Sequence, residues 1–189
     1  MRFLESADPL LIIIGPSGAG KSSAVQSLVS RGVVEVTPSW TTRPARGGEA
    51  ESSVEHIFVS EAAFDEQHKQ RAFLEVVQLF GLPYRYGLPR IPEPSSGRVP
   101  LIMLRAPLLP MVPAHYASAV IYQIEDDLAN VTKRLQAREA EGHQLGTRLE
   151  DYTKEVEFGS RAAHRTFTNN AGIEELADAL AAAIREDFA

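Results

Sequence analysis

The chain contains no cysteine, which excludes disulfide frameworks, thiolate metal sites and a cysteine nucleophile, while leaving the redox compartment open. It also lacks any apolar run long enough to cross a bilayer. The longest early one, Leu10 to Ile14, is too short for that and has neither the basic flank nor the cleavage site of a secretion signal, so a cytoplasmic location is expected. An excess of positive charge is missing as well. The formal charge of -6 argues against a surface built mainly to hold nucleic acid or anionic membrane, and any basic site must be local. The five histidines, His56, His68, His115, His143 and His164, form no metal-ligand spacing and read as scattered surface residues. No internal repeat and no low-complexity tail is present.

What is there suffices for one domain. With 189 residues, 44% of them hydrophobic, a single substantial core is the default. Leu10 to Ile14 is a short continuous apolar run closed by Gly15-Pro16, the pattern of a strand buried on both faces of a parallel sheet. From Lys21 to Arg31, Ala24, Val25, Leu28 and Val29 share one helical face, with Gly32 as the stop. Val33 to Val36 reads as a second strand. The polar segment Thr37 to Ser53 has arginines, turn formers and no helical period, and reads as a binding loop. His56 to Val59 and Phe73 to Phe80 are expected to be strands flanking a short helix near Ser60 to Gln70. Eight of the twelve prolines lie between Pro83 and Pro113, so little regular helix is expected there; Ile91 to Arg98 reads as a linker and Leu101 to Leu104 as a buried strand. Ala119 to Ile124 is a further strand, and Leu128, Val131 and Leu135 recur at helical spacing after the acidic Glu125-Asp126-Asp127. Ile173, Leu176, Leu180 and Ile184 mark a final amphipathic helix. The alternation predicts an α/β fold, a parallel sheet flanked by helices.

The strongest signal is Gly15-Pro16-Ser17-Gly18-Ala19-Gly20-Lys21-Ser22, which satisfies G-x-x-x-x-G-K-S between a strand and a helix. Glycines let the backbone turn with its N–H groups pointing inward, and the positive helix end adds to their field, so a triphosphate can be received without intervening side chains. Lys21 is placed to reach the β- and γ-phosphates, Ser22 to ligate Mg²⁺, and Ser23 stands beside it among the ATP-binding residues. One strand later, Arg43 and Arg46 lie three residues apart in Thr41-Thr42-Arg43-Pro44-Ala45-Arg46-Gly47-Gly48-Glu49. Paired guanidinium forks suit a phosphate monoester better than a lone lysine does.

At these residues the chain resembles the guanylate kinase family, from about Leu10 through Asn170 and most clearly before Gly87. The family's S-x-T-T-R-x-x-R-x-G-E motif is matched by Ser39, Thr41, Thr42, Arg43, Arg46, Gly48 and Glu49, and its F-[IL]-E motif by Phe73-Leu74-Glu75. The resemblance implies that Arg43 and Arg46 grip an acceptor phosphate with Glu49 nearby, that Tyr86 before Gly87 also touches it, and that Ser39 and Glu75 read guanine. It further implies a P-loop NTPase fold with a small acceptor-binding α+β insertion and a helical lid: core about 1–36, 99–135 and 160–189, acceptor region about 37–98, lid about 136–159. The lid arginines of the family correspond to Arg134, Arg138 and Arg148, and its late asparagine near the adenine to Asn169. ATP and Mg²⁺ are the implied cofactors, the acceptor being GMP or another small phosphorylated compound, with no nucleic-acid or membrane partner.

Several positions depart from the family pattern. His56 stands where a tyrosine is usual, and an imidazole there can still donate to a phosphate. The D-x-D pair at the end of the next buried strand corresponds to Met103-Leu104-Arg105, so both carboxylates are missing. That leaves Ser22, phosphate oxygens and water to hold Mg²⁺ unless a carboxylate arrives from elsewhere. Glu55-His56-Ile57 and Arg105-Ala106 resemble blocks of the ribose 1,5-bisphosphate kinases of phosphonate breakdown, which also lack the aspartates; Arg46 and Phe73-Leu74-Glu75 look more like guanylate kinase. The expected chemistry is therefore transfer of the ATP γ-phosphoryl group to an acceptor phosphate, with GMP first, ribose 1,5-bisphosphate second, and a non-catalytic binding module as the reading of another class. Lys21, Arg43, Arg134, Arg138 and Arg148 form the expected catalytic set.

Overall fold

The computed structural model describes residues 2–45, 53–78, 83–94, 97–112, 115–138 and 145–189, with only the backbone described at 111, 137, 138 and 145–151. Five strands form the principal sheet: β1 (Leu10–Ile14), β2 (Val34–Val36), β7 (Val99–Met103), β8 (Ala119–Glu125) and β9 (Arg165–Thr168). Their order is β2-β7-β1-β8-β9, and every neighbouring pair runs parallel. All five residues of β1 are fully buried at the centre. Successive side chains of a strand point to opposite faces, and both faces here are covered. Leu11 and Ile13 pack with Ala24, Val25 and Leu28 of α1 (Lys21–Ser30) and with Leu176, Leu180 and Ile184 of α5 (Ile173–Asp187). Leu10, Ile12 and Ile14 pack on the other side with Ile102, Leu109, Val112 and Tyr116. An unbroken apolar run is what two covered faces require.

A second, four-stranded sheet has the order β4-β3-β6-β5, built from β3 (Ser39–Thr41), β4 (His56–Phe58), β5 (Phe73–Gln78) and β6 (Arg85–Pro89). The helix α2 (Glu61–Lys69) begins at Ser60, whose hydroxyl accepts from the Ala63 amide at 3.2 Å, satisfying one of the first orphan donors. Phe64 of α2 stacks on Phe73 with centroids 4.7 Å apart, and Trp40 meets Phe73 edge-on. Gly87 makes room for that ring, since a Cβ there would lie 2.8 Å from it.

Several local expectations need correction. Thr37 to Ser53 is not all loop, because Ser39–Thr41 pairs with both β4 and β6. Ile91, expected in a linker, is fully buried, and its carbonyl accepts from Leu4 at 2.9 Å; an apolar side chain beside the lower core is drawn in despite the surrounding prolines. The proline-rich stretch also holds a 3-10 helix at Ala106–Met111, where Pro107 sits in the first turn and no intrahelical N–H donor is needed. Three elements carried no separate local expectation: β6, β9, and the helix α4 (Leu145–Ala162) that follows α3 (Leu128–Arg138).

Candidate active site

The phosphate loop joins the C-terminal end of β1 to α1. Gly15, Gly18 and Gly20 have φ of 140°, 87° and 100°, values that L side chains rarely adopt. The space is equally restrictive: a Cβ on Gly15 would meet the Ile124 carbonyl oxygen at 2.0 Å. Pro16 and Ala19 are buried and Ser17 is half-buried. Gly20 caps α1 without a side-chain hydrogen bond, and the first turn holds no acidic residue. The positive end of the helix is thus left facing the loop. The Lys21 ammonium, 8% exposed, donates to the carbonyls of Gly15 at 2.8 Å and Pro16 at 3.0 Å. Ser22 and Ser23 are exposed at the start of α1.

Two further elements brace this loop. Arg134 of α3 donates to the Gly18 carbonyl at 2.9 Å and pairs with the buried Asp126 at 2.5 Å. Asp126 in turn accepts from the Asn130 amide, so this one residue of the acidic segment before α3 orients the arginine, while Asp127 faces solvent. Asn169, 3% exposed at the end of β9, donates to the Ala19 carbonyl at 3.0 Å. Its amide therefore supports the loop's shape. Arg138 and Arg148 have side chains outside the described residues.

Strand register gathers the acceptor candidates on one face of the second sheet. Ser39 pairs with His56, Thr41 with Tyr86, Val77 with Tyr86, and Glu75 with Leu88. Paired residues project to the same face and the parity alternates along each strand, so Ser39, His56, Tyr86 and Glu75 all lie on the side opposite α2. The Ser39 hydroxyl meets His56 Nδ1 at 2.7 Å, and the His56 and Tyr86 rings are 5.7 Å apart. The Arg43 guanidinium lies 5.0 Å above the Phe58 ring and donates to the Pro44 carbonyl. Arg46 and Glu49 fall outside the described residues.

Two contacts were invisible in the sequence. Glu75 Oε1 lies 3.2 Å from His115 Nε2, which brings a histidine read as surface scatter into the acceptor face. The Ser22 hydroxyl donates to Glu55 Oε2 at 3.0 Å, tying the phosphate loop to the second sheet. No local pattern could have found either, because the partners are 40 and 33 residues apart. The end of β7 does lack carboxylates: Arg105 there forms an ion pair with Glu155 of α4, whose side chain is 2% exposed. His164 is also engaged, its Nδ1 accepting from the Ile121 amide at 2.9 Å. No helix among the described residues is long and apolar enough to cross a membrane.

A parallel sheet flanked by helices, with a glycine phosphate loop at the end of its central strand, defines a P-loop NTPase fold. The model of the family described as guanylate kinase matches residues 7–92. A guanylate kinase of Thermobifida fusca is 31% identical over 181 residues, 93% of this chain and 90% of its own. One from Rhodopirellula baltica is 30% identical over 167 residues, 83% of this chain and 79% of its own. The crystal structure of guanylate kinase from Anaplasma phagocytophilum superposes with a TM-score of 0.67 at 22% identity, covering 97% of this chain and 88% of that one. The chain belongs to the guanylate kinase family and is an ATP-dependent phosphotransferase.

Proposed function

We propose that the protein transfers the γ-phosphoryl group of ATP to the phosphate of GMP, forming ADP and GDP. The observation that carries this reading is the single sheet face bearing Ser39, His56, Tyr86 and Glu75, linked to the phosphate loop through Ser22 and Glu55. Relatives named guanylate kinase over most of their length support GMP as the acceptor; the sugar-phosphate alternative gains no such support.

Phosphoryl transfer asks the protein mainly to position donor and acceptor and to neutralise spreading charge. The loop amides and the start of α1 receive the ATP phosphates, and Lys21 turns from the carbonyls of Gly15 and Pro16 toward them. Arg134, already on the Gly18 carbonyl, stands at the same phosphates, with Arg138 and Arg148 assigned to the lid beside it. Asn169 acts indirectly by holding Ala19. Arg43, Arg46, Tyr86 and His56 orient the acceptor phosphate, with Glu49 beside them. Ser39 and Glu75 read the guanine edge, and His115 orients the Glu75 carboxylate.

Ser22 hydroxyl and a neighbouring carboxylate are hard oxygen donors, a set that fits Mg²⁺. The ion would supply charge neutralisation on the β- and γ-phosphates. Closing of the α3 and α4 region over the site would exclude water and limit wasteful hydrolysis.

The test is ADP release from ATP·Mg²⁺ measured with GMP, dGMP, AMP, UMP and ribose 1,5-bisphosphate. GMP should lead AMP by about 10–100-fold in kcat/KM, the worth of one charge-assisted hydrogen bond. Preference for ribose 1,5-bisphosphate would remove the base-reading roles of Ser39 and Glu75.

A further inference from the structure

The end of β7 offers a metal no carboxylate, since Arg105 is held there by Glu155. Nor does any group of three or more histidine, aspartate or glutamate side chains among the described residues form a metal site of its own. A divalent cation at the phosphate loop would then be held jointly with nucleotide oxygens, and among the described residues one pair of protein oxygens stands ready for it. Ser22 Oγ and Glu55 Oε2 are 3.0 Å apart, and an octahedral Mg²⁺ with ligands at 2.0–2.1 Å sets adjacent oxygens about 2.9 Å apart. The two side chains can thus form one edge of the octahedron with little movement, the Ser22 O–H rotating away so that both oxygens turn lone pairs to the cation.

The backbone around Glu55 is well fixed for such a task. Its carbonyl accepts from the Ser39 amide at 3.0 Å, and its own amide donates to the Ser53 hydroxyl at 3.2 Å. The other carboxylate oxygen, Oε1, lies 3.7 Å from His56 Nε2, so the same residue stands between the phosphate loop and the acceptor face. We propose that Glu55 ligates, together with Ser22, the divalent cation carried by ATP, and so supplies from the acceptor sheet the carboxylate that β7 lacks. This rests on the reading of Gly15 to Ser22 as the ATP site. A purely structural tie between α1 and the second sheet is the competing account of the same contact.

Calorimetric titration of the full chain with the non-hydrolysable analogue AMPPNP, with and without Mg²⁺, separates the two. Glu55→Gln keeps the shape and can still pair with the Ser22 hydroxyl, whereas Glu55→Asp keeps the charge on a shorter stem. In Glu55→Gln the tightening by Mg²⁺ should fall about 10–100-fold, the usual scale for losing a group that supports a metal, with metal-free affinity unchanged or improved. Glu55→Asp should retain part of the tightening. Mn²⁺ bound to the AMPPNP complex, followed by electron paramagnetic resonance, should weaken in parallel. Equal tightening in Glu55→Gln and the wild type overturns the proposal, as does an equal loss with and without metal, the mark of a structural tie. A wild type that binds no AMPPNP would instead bring down the ATP-site reading, and this proposal with it.

Discussion

Replacing Gly15 by alanine should damage the fold and the phosphate loop together. The new Cβ would lie 2.0 Å from the Ile124 carbonyl oxygen, over 1 Å inside ordinary contact, and that oxygen belongs to the backbone of β8. Relief requires lifting the loop or parting β8 from β1 near the Ile14–Gln123 pairing. Overpacking of this kind costs about 1–3 kcal/mol, and an alanine held at φ 140° adds about 1–3 kcal/mol of backbone strain. A loss of about 2–6 kcal/mol corresponds to a Tm lower by about 5–20 °C in a chain of this size. Gly97→Ala is the control, because φ is 67° there but nothing lies within 4 Å, leaving strain alone. Thermal unfolding by circular dichroism, with AMPPNP titration of whatever remains folded, measures both consequences. A Gly15→Ala shift no larger than that of Gly97→Ala, with nucleotide binding intact, would refute the close-approach argument.

Lys21→Ala should lower kcat/KM for every acceptor by about 10³-fold, since one charge about 4 Å from a phosphate at an effective dielectric of 20 is worth about 4 kcal/mol. Arg43→Ala should instead raise the acceptor KM or lower kcat while AMPPNP affinity stays nearly constant; equal loss of nucleotide affinity in both variants would contradict the division of labour. Arg105→Ala should destabilise by about 3 kcal/mol because Glu155 is 2% exposed, and adding Glu155→Leu should recover much of that, as chemical denaturation can measure. Acid should destabilise the second sheet and the α5 end. The Thr42 hydroxyl and then Arg85 hold Glu61 below the ordinary carboxylate value, Arg85 does the same for Asp65, and Tyr122 followed by Arg165 for Asp187. Depressed carboxylates contribute stability above their unfolded values and lose it as pH falls through the folded ones, so Tm should drop below about pH 4. Arg85→Ala should flatten the part of that drop due to Glu61 and Asp65.

The legible parts of the sequence were those whose pattern is local. β1 could be read because both of its faces are buried, and the phosphate loop because its glycines, lysine and serine stand at fixed spacing between a strand and a helix. α1 and α5 each present one apolar stripe. Elements whose signals come from partners were harder. β3 is three residues long, with one apolar side chain, Trp40, between two hydroxyl residues, and it is a strand only because β4 and β6 flank it. β9 lies at the sheet's edge, with half-exposed and exposed side chains alternating, so neither a long apolar run nor a helical period marks it. Ile91 looked like linker amid prolines, yet burial decided its place. The acceptor candidates Ser39, His56, Glu75 and Tyr86 lie on four separate strands, and their common face depends on register. His115 beside Glu75, Glu55 beside Ser22 and Glu155 against Arg105 are products of tertiary folding that no spacing encodes.

The central claim is transfer from ATP to an acceptor phosphate, and phosphorus NMR of the protein with ATP, Mg²⁺ and GMP tests it most directly. Signals of ADP and GDP should grow in equal amounts, with little inorganic phosphate. Release of inorganic phosphate without GDP, or ATP left unchanged, would contradict the account.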